Sequence, residues 1–148
     1  MPSYDETQAK MKYEIALYRQ QLSLIQKEMQ RITMTTAELG SAQKTVKELS
    51  ERDALIPIGG GSYIKAKLTE KKVIMPIGAQ YLVEMENDEA EKEIQRRIDA
   101  TKQAVEKLGA EFEKISVKLE QIGPNLQQIE NANAIDKRVE EQSRDDYI

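Results

Sequence analysis

The residues of this chain that could do chemistry are few in kind. Neither histidine nor cysteine occurs among its 148 residues, which removes His-based triads, Cys nucleophiles, Cys/His zinc sites and disulfide frameworks together. Gly59-Gly60-Gly61-Ser62 has the glycine density of a phosphate cradle, but no Gly-Lys-Ser/Thr follows, and the glycines join two β-branched stretches instead of opening a helix. A hairpin turn, which needs glycine for its positive φ angles, is the better reading. The carboxylates Glu84, Glu86, Asp88, Glu89, Glu91 and Glu93 crowd together in sequence and would suit a metal or an acid/base pair. Without histidine, and at what reads as the start of a helix where acids meet the macrodipole favourably, they read as solvated structure. No catalytic residue, cofactor or metal site is expected.

A third grouping binds instead of reacting. Met1, Tyr4, Met11 and Tyr13 lie near one terminus and Ile135, Val139, Tyr147 and Ile148 near the other. Flexible methionine and amphipathic tyrosine suit weak capture of many partners, although Met11 also finishes a helical seam. Net charge is −4, with lysine and arginine mixed among acids, so no basic stripe is available for nucleic acid. No basic-then-apolar leader opens the sequence, and no run approaches the roughly 18 apolar residues of a membrane span. The expected location is a reducing cytoplasm, away from membranes.

The elements that must position these groups follow from periodicity. Met11, Ile15, Tyr18, Leu22, Ile25, Met29, Ile32, Leu39 and Val46, with Thr36 and Gln43 between, alternate by four and three. A repeat of about 3.5 residues is a coiled-coil seam. Ile94, Ile98, Thr101, Val105, Leu108, Phe112, Ile115, Leu119, Ile122, Leu126 and Ile129 repeat it. The phase survives Gly123-Pro124, which predicts a kink and not a terminus. An antiparallel hairpin pairs seam residues whose numbers have one constant sum: Val46 with Glu91, Leu39 with Ile98, Ile32 with Val105, Ile25 with Phe112, Tyr18 with Leu119 and Met11 with Leu126. A helix of some 45 residues would rise roughly 65 to 70 Å, putting its free end far from the block between the helices. Composition agrees, since 39% hydrophobic and 32% charged residues with one Phe and no Trp suit a narrow seam better than a thick core.

Between the helices, Leu55–Ile58, Ser62–Leu68, Val73–Ile77 and Gln80–Met85 read as four strands, joined at Gly59-Gly60-Gly61, Thr69–Lys72 and Gly78-Ala79. Pro57 and Pro76 favour edges or bulges. Two hairpins are marginal alone, and paired helices offer little to pack on. Ile56, Ile58, Tyr63, Ile64, Val73, Ile74, Ile77, Tyr81 and Val83 are therefore expected to find partners in other subunits. The predicted organisation is a single domain over 1–148: helix 1 about 5–52, hairpins about 54–86 and helix 2 about 88–142.

Leu55-Ile56-Pro57-Ile58-Gly59-Gly60-Gly61-Ser62-Tyr63-Ile64-Lys65-Ala66-Lys67 resembles the first hairpin motif of α-class prefoldin subunits. Val73-Ile74-Met75-Pro76-Ile77-Gly78-Ala79-Gln80-Tyr81-Leu82-Val83-Glu84 resembles the second, with Pro76 where a glycine or small residue is more usual. β-class subunits normally carry one hairpin. The resemblance implies a mainly α fold, a long antiparallel coiled-coil hairpin whose two central β-hairpins join an intersubunit β-barrel. It also implies an ATP-independent holdase, usually two α-class with four β-class chains, whose coiled-coil tips grip non-native proteins and pass them to a group II chaperonin. The alternative is a structural spacer or filament protein, in which the same hairpins join copies of this chain without closing a ring.

Overall fold

The computed structural model describes residues 4–145. Helix α1 (Tyr4–Lys47) leads through strands β1 (Arg52–Gly59), β2 (Ser62–Leu68), β3 (Lys72–Gly78) and β4 (Tyr81–Glu86) into helix α2 (Asn87–Asp145). Acids in the first turns, Asp5 and Glu6 in α1 and Asp88 and Glu89 in α2, and basic residues in the last turns, Lys44, Lys47 and Arg144, oppose each helix dipole. Pro124 removes the N–H that would bond to the Glu120 carbonyl, yet α2 runs through it unbroken. Helix α1 stops at Lys47 and not near residue 52. The chain leaves the helix because Arg52, Asp53 and Ala54 are needed in β1 opposite Leu68, Lys67 and Ala66.

Contacts divide the chain into two compact units. In the first, residues 4–31 pack with residues 106–145. Ile15 and Ile115 are its most buried seam residues, and Met11, Tyr18, Leu22, Ile25, Phe112, Leu119 and Leu126 are each half-buried. Polar pairs fix the register: Asn133 Nδ2 donates to Asp5 Oδ1 at 2.8 Å, Gln8 Nε2 to Glu130 Oε1 at 3.1 Å, and Lys12 Nζ stands 3.0 Å from the same oxygen. Those bonds from Lys12, then Gln8, lower the Glu130 carboxyl below its ordinary pKa.

The second unit, Ile32–Val105, holds both β-hairpins. Its helices meet in the register expected from the apolar layers: Thr36 and Thr101 hydroxyls lie 2.8 Å apart, Gln43 Nε2 donates to Gln95 Oε1 at 2.7 Å, and Lys47 and Glu91 pair at 3.4 Å. Strands β1 and β2 form one antiparallel sheet and β3 and β4 another, with no ladder between the two among the described residues. Val46, Met75, Ala90, Ile94 and Ile98 make the core, with Leu39, Val73 and Met85 packed against it. A backbone bond from Asn87 N to the Lys71 carbonyl, 3.1 Å, ties the base of the second hairpin to the start of α2.

Candidate assembly interface

The two hairpins are built alike and end differently. Each closes on a short loop after a register shift, between Pro57 and Gly59 in one and between Pro76 and Gly78 in the other. Such a shift is a bulge, and proline sits beside it because it has no N–H to give the ladder. Gly60 and Gly61 take φ of 57° and 76° in the first loop, as glycine does readily. In the second, Ala79 and Gln80 hold φ of 47° and 65°, a left-handed conformation that carries a steric penalty for both residues.

Residues directly opposite in an antiparallel pair point to the same face. In the second hairpin Val73 opposite Met85, and Met75 opposite Val83, make a face turned to the helices. Met75 is 5% exposed. The other face carries Ile74 opposite Glu84 and Pro76 opposite Leu82, and Ile74 and Leu82 are exposed. This corrects the expectation that the paired helices offer these strands little to pack on. Val73 has its neighbours within the chain, because Ala90 at 0% exposure is small enough to let Met75 reach Ile94 and Ile98.

The first hairpin has no such support. Ile56 opposite Ile64, with Ala54 opposite Ala66, repeats the geometry of Met75 opposite Val83, but Ile56 is 50% exposed and Ile64 53%. Ile58, Tyr63 and Leu55 are exposed too, as are Ile77 and Tyr81 at the tip of the second hairpin. Apolar side chains left exposed on two-stranded ribbons with unpaired edges have the form of an unfilled interface.

Beside the second hairpin, Arg96 and Arg97 both bond to Glu93, whose Oε1 lies 2.7 Å from Arg96 Nη2 and 2.9 Å from Arg97 Nε. The bond from Arg96, then that from Arg97, holds the Glu93 carboxyl down at a pKa of about 2. Arg97 Nη2 also donates to the Pro76 carbonyl. A cleft lined by Ile77, Met85, Glu89, Lys92 and this triad lies between hairpin and helix. The sequence reading missed Met75, Ala90 and Arg97. Met75 could have been found from the strand alternation that puts it on one face with Val73.

Of the residues expected at the helix ends, Tyr4, Tyr13, Ile135 and Val139 are exposed, at 57%, 69%, 60% and 59%. Met11 is half-buried in the seam. Met1, Tyr147 and Ile148 lie outside the described residues. Among the described residues no cluster of acids could hold a metal ion, and no helix is long and apolar enough to cross a membrane.

The family model described as Prefoldin subunit matches residues 18–132. Curated relatives include a prefoldin subunit alpha of Methanococcus aeolicus, 32% identical over 68% of this chain and 72% of its own length. A prefoldin subunit alpha of Methanobrevibacter smithii is 31% identical over 70% and 73%. Among solved structures, a filamentous PFD from Methanocaldococcus jannaschii superposes with a TM-score of 0.66 at 24% identity, covering 75% of this chain and 96% of that one. The prefoldin beta subunit from Thermococcus strain KS-1 gives 0.60 at 20% identity, over 86% and 96%. With two seam-matched helices around a pair of β-hairpins, and sequence kinship that spans most of both, this chain belongs to the prefoldin family as an α-class subunit.

Proposed function

We propose that the chain is the α-class subunit of an ATP-independent holdase, assembled through its β-hairpins with β-class subunits, in the expected ratio of two to four, into a β-barrel platform. The observation that carries this is the contrast between the hairpins. One apolar face is filled by Val46, Ala90, Ile94 and Ile98, while the equivalent face at Ile56 and Ile64 is left open. Neighbouring subunits are the natural occupants, since an exposed ribbon edge otherwise invites uncontrolled association. Free helix ends with Tyr4, Tyr13, Ile135 and Val139 exposed supply weak, sequence-tolerant contacts for non-native proteins, and several arms add such contacts through multivalency. Delivery to a group II chaperonin and a cytoplasmic location belong to the same reading, which needs no catalytic group.

A second reading is favoured by the likeness to a filamentous PFD: the hairpins join copies of this chain head to tail into an open filament. Mass measured for the chain alone and after mixing with a β-class subunit separates the two. A defined hexamer formed only on mixing supports the holdase complex. Large, polydisperse species from the chain alone, unchanged by the partner, overturn it in favour of the filament.

A further inference from the structure

We infer that capture of non-native protein extends from the helix end down the exposed face of α1, where Tyr13, Leu17 and Leu24 form a stripe that takes extended apolar segments carrying no charge. This inference rests on the holdase reading above and says which part of the arm, and which kind of client segment, that reading involves. The three side chains are 69%, 38% and 58% exposed. At 3.6 residues per turn they fall within about 40° of one another, opposite the seam residues Ile15 and Leu22, which are buried and half-buried. A single exposed apolar residue is ordinary on a protein surface, whereas an aligned set on one helix face marks a place of contact.

Charge is missing from this face. The whole chain is 32% charged, yet the only charged residues from Tyr13 to Gln26 are Glu14 and Arg19. Both stand at least about 80° around the helix from the middle of the stripe. Gln20 and Gln21 flank it between the two leucines, and their neutral amides can bond to the N–H and C=O groups of an unfolded backbone. An uncharged segment therefore covers no charge on this face, while a charged one finds no partner there. Val117 shows the ordinary case. It is 44% exposed on α2, but the residues one turn away are Glu113, Lys114, Glu120 and Gln121, which leave it a lone apolar group among charges.

Size and position select the occupant. Covering one tyrosine and two leucines removes roughly 400 Å² at most from this chain, against roughly 800 Å² per partner in a stable interface. The stripe alone therefore holds neither a second copy of this chain nor a permanent subunit. Weak contact that several arms can add together is what a capture surface needs. Tyr13 is already one of the exposed apolar residues at the helix end, so the stripe continues that surface. From Tyr13 to Leu24 is about 16 Å along the axis, the span of about five residues of extended chain. An extended, uncharged apolar segment of that length is what a folded protein buries and a non-native one exposes.

The test uses the full chain assembled with β-class subunits. Gln20→Cys, the sole cysteine of the chain, is labelled with a benzophenone before assembly, and illumination beside a denatured test protein should cross-link this subunit to that protein. Cross-links only to another copy or to a β-class subunit, or none at all, overturn the inference. Leu17→Gln with Leu24→Gln keeps two good helix formers, so helicity by far-UV circular dichroism and native mass should stay parental. The concentration of complex needed for half-maximal protection of the test protein should rise at least about fivefold, while Val117→Gln leaves it at the parental value. No rise in the double variant, or an equal rise in Val117→Gln, overturns the inference; should the double variant lose helicity, Leu24→Gln alone is read by the same criterion. A fluorescein-labelled peptide of alternating leucine and serine should lose affinity for the double variant, and one with aspartate in place of serine should bind both complexes alike. Equal losses for the two peptides overturn the preference for uncharged segments. Deleting residues 136–148 with Tyr4→Ser separates the two failures. If that change weakens protection while the leucine variant does not, the stripe alone is refuted, whereas if neither does, the holdase reading and the inference fall together.

Discussion

Replacing Ile94 by alanine tests whether the second hairpin is docked on its own helices. Ile94 is 2% exposed and packs with Val46, Met75, Ala90 and Ile98. The change removes three carbons, at about 0.8 kcal/mol for each buried methylene. Part of the resulting cavity persists, since Met75 is anchored by its strand and Ala90 is too small to fill it, so the loss should be about 3 kcal/mol, within the usual 2–5 kcal/mol for such deletions. In a chain of this size that lowers the melting midpoint by about 6–12 °C. Ile56→Ala is the matched control. Half of its side chain is already exposed in the single chain, so its loss should be about 1 kcal/mol or less. The assay is thermal unfolding by circular dichroism, at a concentration where the chain is monomeric by light scattering. Equal shifts for the two variants, or a shift under about 2 °C for Ile94→Ala, would refute the docked core.

Cysteines at positions 25 and 112, in a chain with none of its own, should cross-link within one subunit on oxidation, as checked by non-reducing electrophoresis; dimers instead would contradict the antiparallel register. Ala79→Asn with Gln80→Gly relieves two left-handed residues and should raise stability by about 1 kcal/mol, read as a higher denaturation midpoint. The Glu93 carboxyl, held at about 2 against an ordinary 4.5, should titrate near 2 by NMR and return toward its ordinary range in Arg96→Ala. Because its folded pKa is the lower one, its contribution to stability is present above about pH 4.5 and disappears as the pH falls toward 2. A stability curve indifferent to Arg96→Ala across that window would count against the triad.

The helix register was legible because a 3.5-residue seam leaves no freedom: once Thr36 faces Thr101, every apolar layer on that side is set. The four strands were legible from β-branched runs and glycine punctuation, and their ends agree with the structure to within a few residues. The end of α1 was not, because Leu49 follows Val46 at a helical spacing while the demand that Arg52 pair with Leu68 is a fact of the partner strand. The docking of the second hairpin was hidden for a similar reason. Val73 and Met75 look no different from Ile56 and Ile64 in sequence, and what separates them is Ala90, a small residue on another element. Arg97 carried no signal at all, being one charge among many on a polar helix until its contact with the Pro76 carbonyl is seen.

The central claim, that this subunit captures non-native proteins at its helix ends, is tested most directly by measuring how well an assembled complex suppresses aggregation of a denatured protein. The complex to use pairs β-class subunits with this chain lacking residues 136–148 and carrying Tyr4→Ser, changes that leave both hairpins untouched. Native mass first establishes that the altered complex has the stoichiometry of the intact one. The account predicts full assembly with markedly weaker protection, because each arm binds weakly and the loss is multiplied through avidity. Protection equal to that of the intact complex would contradict it, and would leave this subunit a scaffold for its partners.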